Sequence, residues 1–328
     1  MLALVPAMSA QTTPVLQLQN LAHAVDSLDK TVPFYRDVIG LPVNGRDPLA
    51  AQPQALNDDM SKFTATKGAK FRAATFRIPN AAFGFELTEF TGTTRKSVQP
   101  KLQDPGSATL VLQIRDMDKM VAKLKAANTV IVSAGGAPVN PSGNATSKMR
   151  EMLIRDPDGF FVQLVQPDPL PATAADATAG DILGGSVNLS IEDSAKTVAF
   201  LRDAIGFTAR PTGQLATNPP VVNLINMPGA QWRITHGSIP GTTLDFGLIE
   251  YVGVPRTKLI AGAQDPGSPA FTMVVRDIDA AVDQWKKAGG TVLSTGGQAI
   301  KQATGAGNVF VQDVNGFTWE LIQRAAAR

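Results

Sequence analysis

The chain has 328 residues, no cysteine, only two histidines (His23 and His236) and a formal net charge of +2. Lacking cysteine, it has no disulfide, thiolate nucleophile or cysteine-ligated metal centre; its scattered basic residues suit neither nucleic acid nor anionic lipid. Apolar residues at 44% give a globular composition, yet no run reaches the roughly 18 residues of a membrane span.

Residues 1–11 form an apolar stretch with small residues at Ser9 and Ala10. They read as the core of a secretory signal without its basic leading region. As a signal they imply a periplasmic or secreted protein, and as a tail a cytoplasmic one. Residues 16–25 then read as a strand, and Leu28, Phe34, Tyr35, Val38 and Ile39 make the apolar stripe of a helix ending at Gly40. Pro33 lies beyond the first turn and removes the amide that would serve the carbonyl of residue 29. The helix therefore starts late or has a distorted first turn.

Short strands follow over 73–78 and 83–90, and then the unit begins again. Residues 108–115 read as a strand, Asp116 caps a helix with Met117, Met120, Val121 and Leu124 on one face, and a strand over 161–165 follows the turn at Asp156-Pro157-Asp158-Gly159. Residues 167–181, rich in proline and small side chains, form a linker.

The second half rewrites the first. Thr31-Val32, Phe34, Arg36-Asp37 and Ile39-Gly40 return as Thr197-Val198, Phe200, Arg202-Asp203 and Ile205-Gly206. Gln103-Asp104-Pro105-Gly106-Ser107 returns as Gln264-Asp265-Pro266-Gly267-Ser268, and the turn at Asp156 as Asp313-Val314-Asn315-Gly316. A strand over 270–276, then a helix capped by Asp277 and containing Ile278, Val282 and Trp285, completes the pattern. A period of domain size, far above the 20 to 50 residues of solenoid units, gives two domains at 16–166 and 182–325. The fold class is α+β, with tandem βαβββ modules, two per domain.

Four modules in two tandem pairs resemble the vicinal oxygen chelate superfamily of glyoxalases, bleomycin-binding proteins and extradiol dioxygenases. The front motif from Val25 to Val43 and the closing motif from Arg155 to Leu164 carry the resemblance, in order and twice over. It implies that each domain curls its sheet into a cup flanked by helices. It also implies a divalent metal held by His and Glu side chains in the cup.

Taken position by position, the metal shell is missing. The first ligand falls at Asn20 and Ser186, its counterpart in the second modules at Thr109 and Ala270, the last-strand ligand at Gln163 and Glu320, and the fourth-strand glutamate at Glu86 and Gly247. Only Glu86 and Glu320 keep a carboxylate, too few strong ligands for zinc, nickel or iron. No metal and no other cofactor is therefore expected, although Asn20, Thr109, Gln163 and Glu86 carry oxygens of the kind hard cations use. His23, three residues beyond Asn20, falls on the helix-facing side of its strand by the period of two. His236 sits near a strand end. Trp285 and Trp319 read as core, and Trp232 as a wall for a ligand.

Three functions fit. The first is a metal-free binding module for a small organic molecule, with Asn20, Ala22, Thr109, Gln163 and Glu86 lining one cup and Ser186, Asn188, Thr272 and Glu320 the other, and Trp232 as the candidate wall. The second is a lyase, isomerase or dioxygenase with Glu86 or Glu320 as catalytic base. The third is an interaction scaffold. The sequence leaves catalysis open and fits a monomer or homodimer with a small-molecule partner.

Overall fold

The computed structural model describes residues 15–175, 180–239 and 245–325, and the signal-like segment 1–11 lies outside them. The expected α+β architecture is present as four modules. The first comprises β1 (Val15–Ala24), α1 (Leu28–Pro33), β2 (Gln54–Ala55), α2 (Asp58–Thr64), β3 (Lys70–Arg77) and β4 (Gly84–Thr91). The second comprises β5 (Ala108–Ile114), α3 (Met117–Ala126), β6 (Val130–Ile131), β7 (Arg150–Arg155) and β8 (Phe161–Gln166). In the third, β9 (Ile182–Ile191) and α4 (Ser194–Ile205) lead to β10 (Thr208–Ala209), α5 (Pro219–Ile225), β11 (Gln231–Ser238) and β12 (Asp245–Val252). The fourth runs through β13 (Pro269–Val275), α6 (Ile278–Lys287), β14 (Thr291–Val292), β15 (Ile300–Lys301), β16 (Gly307–Gln312) and β17 (Thr318–Gln323).

Pro33 distorts its helix at the far end, not the near one. Without a proline N–H the regular ladder fails, and from Phe34 to Ile39 the chain widens into a π-helical stretch closed by Gly40 N–H to the Tyr35 carbonyl. The second copy has Ala199 there and a regular α4. Each module also ties its helix start to its own last strand. The first helical amides at Leu28, Met117, Ser194 and Ile278 donate to side-chain oxygens of Glu89, Gln166, Glu250 and Gln323.

The sheets do not follow the sequence repeats. One sheet joins the first and fourth modules in the order β14-β16-β17-β13-β1-β4-β3-β2, with β15 on β16; the other joins the second and third as β10-β11-β12-β9-β5-β8-β7-β6. The antiparallel pairs β1–β13 and β5–β9 make the seams. Hence the connections 92–107 and 253–268 both pass between sheets, and they bond reciprocally. Val98 N–H reaches the Pro266 carbonyl and Lys96 N–H the Asp265 carboxylate, while Leu259 N–H reaches Pro105 and Thr257 N–H Asp104.

The helix-facing sides of both sheets and their helices share one core, in which Trp285 and Trp319 are fully buried. His23 faces this core, its Nε2 3.0 Å from Asp156 Oδ2 and its ring stacked on Phe160. Tyr35 OH donates to the same Oδ2, and Thr31 to Asp158, clasping the first module to the turn of the second. In the other repeat Leu189 replaces His23, Trp319 Nε1 donates to Asp313, and Asn315 Nδ2 donates to Thr197.

Candidate functional site

Alternation along the strands turns Leu21 and His23 inward and Asn20 and Ala22 to the opposite, concave face. The expected grouping of cup residues by domain is therefore corrected, because each concave face takes strands from both repeats. Asn20, Ala22 and Glu86 share the first cup with Thr272 and Glu320, whereas Thr109 and Gln163 share the second with Asn188 and Trp232. Ser186 pairs with Val111 on the seam of the second sheet and does not line the cavity.

The first cup encloses about 240 Å³. Asn20 Nδ2 donates to Glu86 Oε2 at 2.9 Å; Thr272 Oγ1 and Asn308 Nδ2 donate to the two oxygens of Glu320 at 3.0 and 3.2 Å. Glu86 and Glu320 are close enough to repel. Burial first, and the Glu320 charge second, push the Glu86 carboxyl up to about 7, against the Asn20 hydrogen bond. Burial also raises Glu320, despite its two donors. Both side chains keep part of their surface open to the cup. Phe90, four residues beyond Glu86 on the same face of β4, packs with Phe71, and Phe310, stacked on Phe63 at 4.4 Å, stands opposite Glu320 on the neighbouring strand.

Helix α2 closes this cup. Its Asn57 cap accepts from Met60 N–H, and Ser294 Oγ of the fourth module donates to the Phe63 carbonyl while accepting from Phe310 N–H. Helix α5 closes the second cup in the same way, with Ser133 between the Leu224 carbonyl and Leu153 N–H.

The second cup, about 260 Å³, is lined by Leu102, Leu153, Val221, Leu224, Ile225, Ile234, Ile249, Trp232 and Tyr251 around Thr109, Gln163 and Asn188. It contains an acid that the motif positions missed: Glu151, which accepts from Gln163 Nε2 at 2.7 Å and is raised by burial. Asn308 occupies the matching place on β16, so carboxylate and carboxamide have exchanged strands between the cups. Aligning 150–155 with 307–312 would have exposed the exchange. Asn188 Oδ1 lies 2.2 Å from where a Cβ of residue 247 would stand, so Gly247 leaves room for Asn188 where the resemblance expects glutamate.

The family's transition metal does not fit these donors. At the four expected positions the first cup offers two carboxylates, the Asn20 amide, whose nitrogen faces Glu86, and the Ala270 methyl. The second offers Thr109, Gln163, Ser186 and Gly247. Among the described residues one group of three ligating side chains converges, His23, Asp156 and Asp158, but its carboxylates already accept from Tyr35, Thr31 and the amides of Asp26, Asp158 and Phe160. His236 lies instead on β11, half exposed, 3.5 Å from Asp245.

Paired βαβββ modules forming open cups define a class of metal-chelating enzymes and binding proteins. The chain belongs to the Glyoxalase/Bleomycin resistance protein/Dioxygenase superfamily, whose model matches residues 17–164 and again 185–321. Among solved structures it resembles a glyoxalase I mutant from Zea mays (16% identity, 94% of this chain and 93% of that one, TM-score 0.58). It also resembles a putative dioxygenase from Bacillus subtilis (13% identity, 96% and 87%, TM-score 0.54). At these identities the likeness is one of fold. No curated protein matches the chain. Among the described residues no helix is long and apolar enough to cross a membrane.

Proposed function

We propose that the protein binds small organic molecules in its two cups without a transition metal. The observation that carries this reading is the pair of concave cavities, each partly roofed by a short helix and lined by apolar side chains around a few placed polar groups. Asn20, Thr272, Glu86 and Glu320 supply those groups in the first cup. Thr109, Gln163, Asn188 and Glu151 supply them in the second, with Trp232 as its wall. The sequence units 16–166 and 182–325 act jointly, since each cup needs one module of each; one chain completes both cups, which favours a monomer over a homodimer.

A second reading is supported by one observation: a carboxyl raised to about 7 is suited to proton abstraction from a carbon acid. Glu86 would take the proton, with Glu320 as a further acid–base group. Among the described residues no cationic side chain lines the cup to stabilise a developing oxyanion, which favours binding over catalysis.

Elemental analysis with native mass spectrometry of the purified chain tests the first reading. Transition metal far below one equivalent, with a copurified or titratable organic ligand, is expected; stoichiometric metal would overturn it. Proton–deuterium exchange into an added carbon acid, abolished by Glu86→Gln, would establish the second.

A further inference from the structure

We propose that the first cup is a site for an organic ammonium ion, the charged head lying between Glu86 and Glu320 and the carbon body between the phenylalanine pairs Phe63–Phe310 and Phe71–Phe90. The inference rests on the small-molecule reading above and adds the chemical class of the ligand.

Among the described residues the cup lining holds two carboxylates and no Lys, Arg or His; Arg77 and Arg324 line the neighbouring groove, which Glu86 also borders, without pairing with it. Glu89, on the opposite face of β4, has its own cation in Arg72 at 2.8 Å; Glu86 pairs with none among the described residues. One Glu86 oxygen accepts from Asn20, and the other accepts no hydrogen bond among the described residues. Two mutually repelling carboxylates in a cup whose described lining carries no counter-charge are complementary to a cation and repel an anion.

The walls decide which cation. Phe71 and Phe90 lie with ring centroids 5.0 Å apart on β3 and β4, the Glu86 side; Phe63 and Phe310 lie 4.4 Å apart on α2 and β16, the Glu320 side. Aromatic faces attract alkylammonium heads and bury their carbon substituents. A hydrated hard metal ion instead wants six or more oxygen ligands, which walls of phenylalanine deny it. The second cup differs at the matching positions. Leu224 and Leu153 replace Phe63 and Phe310, Trp232 and Tyr251 keep an aromatic pair where Phe71 and Phe90 stand, and the carboxylate among its described lining residues, Glu151, is engaged by Gln163.

The test titrates the full chain at about pH 8, above the value of about 7 to which Glu86 is raised, with phenethylammonium, phenethyl alcohol, phenylacetate and magnesium ion separately, by calorimetry and amide NMR. Phenethylammonium is expected to bind about tenfold or more tighter than the alcohol, equivalent to about 1.4 kcal/mol. Shifts should appear at Phe63 and Phe90, with the Trp232 indole signal unmoved. Phenylacetate should not bind this cup. The isosteric double variant Glu86→Gln/Glu320→Gln should lose the preference while keeping its circular dichroism spectrum; if it does not fold, the preference of the unaltered chain still decides.

Equal binding of alcohol and ammonium, persistence of the preference in the folded double variant, or a magnesium ion that displaces the ammonium would overturn the proposal. Binding of the alcohol in either cup without an ammonium preference sinks this inference alone. Failure of every probe in both cups sinks the small-molecule reading with it.

Discussion

Glu86→Gln should make the protein more stable in alkaline solution and leave it unchanged in acid. The Glu86 carboxyl titrates near 4.5 in the unfolded chain and at about 7 in the fold. Below about 4.5 both states hold the proton and the group contributes nothing. Between these values the unfolded chain releases its proton while the native carboxyl retains it, so stability falls as pH rises. Above about 7 the native carboxylate is charged and the loss is complete. At about 1.4 kcal/mol per pKa unit the penalty is roughly 3 kcal/mol. Glutamine keeps the shape and an oxygen for Asn20 Nδ2, and it removes the charge facing Glu320. Thermal melts at about pH 4 and pH 8 should show the variant about 2–6 °C more stable at the higher pH only. A variant less stable at pH 8, or shifted equally at both values, would refute the assignment of an unpaired, repelled carboxylate. The gain would come at the cost of ammonium affinity, as expected where a binding site stores unfavourable charge.

Ser294→Ala leaves the Phe310 amide and the Phe63 carbonyl without their shared hydroxyl. It should cost about 1–3 kcal/mol in urea unfolding and speed hydrogen exchange in α2. His23→Leu copies Leu189 of the other repeat, where Trp319 serves the aspartate instead. Asp156 keeps Tyr35 and two backbone amides, and the imidazole that is lost approaches it at 3.0 Å with neither ring nitrogen making a hydrogen bond among the described residues, so a change of no more than about 1 kcal/mol is expected, with phenethylammonium binding unaltered. Growth in medium enriched in zinc or nickel should leave the purified chain with far less than one equivalent of either, by elemental analysis.

Much of the fold was legible because its signals are local. Asp116 and Asp277 cap their helices as read, with Asp116 accepting from Lys119 N–H and Asp277 from Ala280 N–H. The period of two correctly sent His23 to the helix side and Asn20 to the cup. Pro33 signalled a distortion but not its place, which is the π-helical stretch from Phe34 to Ile39 and not the first turn. Glu151 was not legible from the motif, because its place in the cup comes from the pairing of β7 with β8, opposite Gln163's neighbours, and not from any spacing to the turn.

The sequence by itself determined the four modules, their order and the absence of imidazole from every cup position, since hydrophobic period, capping residues and glycine turns act within a few residues of themselves. Which modules share a sheet was decided only in the tertiary structure. The duplicated halves offer equivalent seams; the pairs β1–β13 and β5–β9 join the first module to the fourth and the second to the third, while the crossing connections bond to each other through Asp104 and Asp265. That pairing brings Glu86 and Glu320, 234 positions apart in the chain, to one cup and gives it its charge.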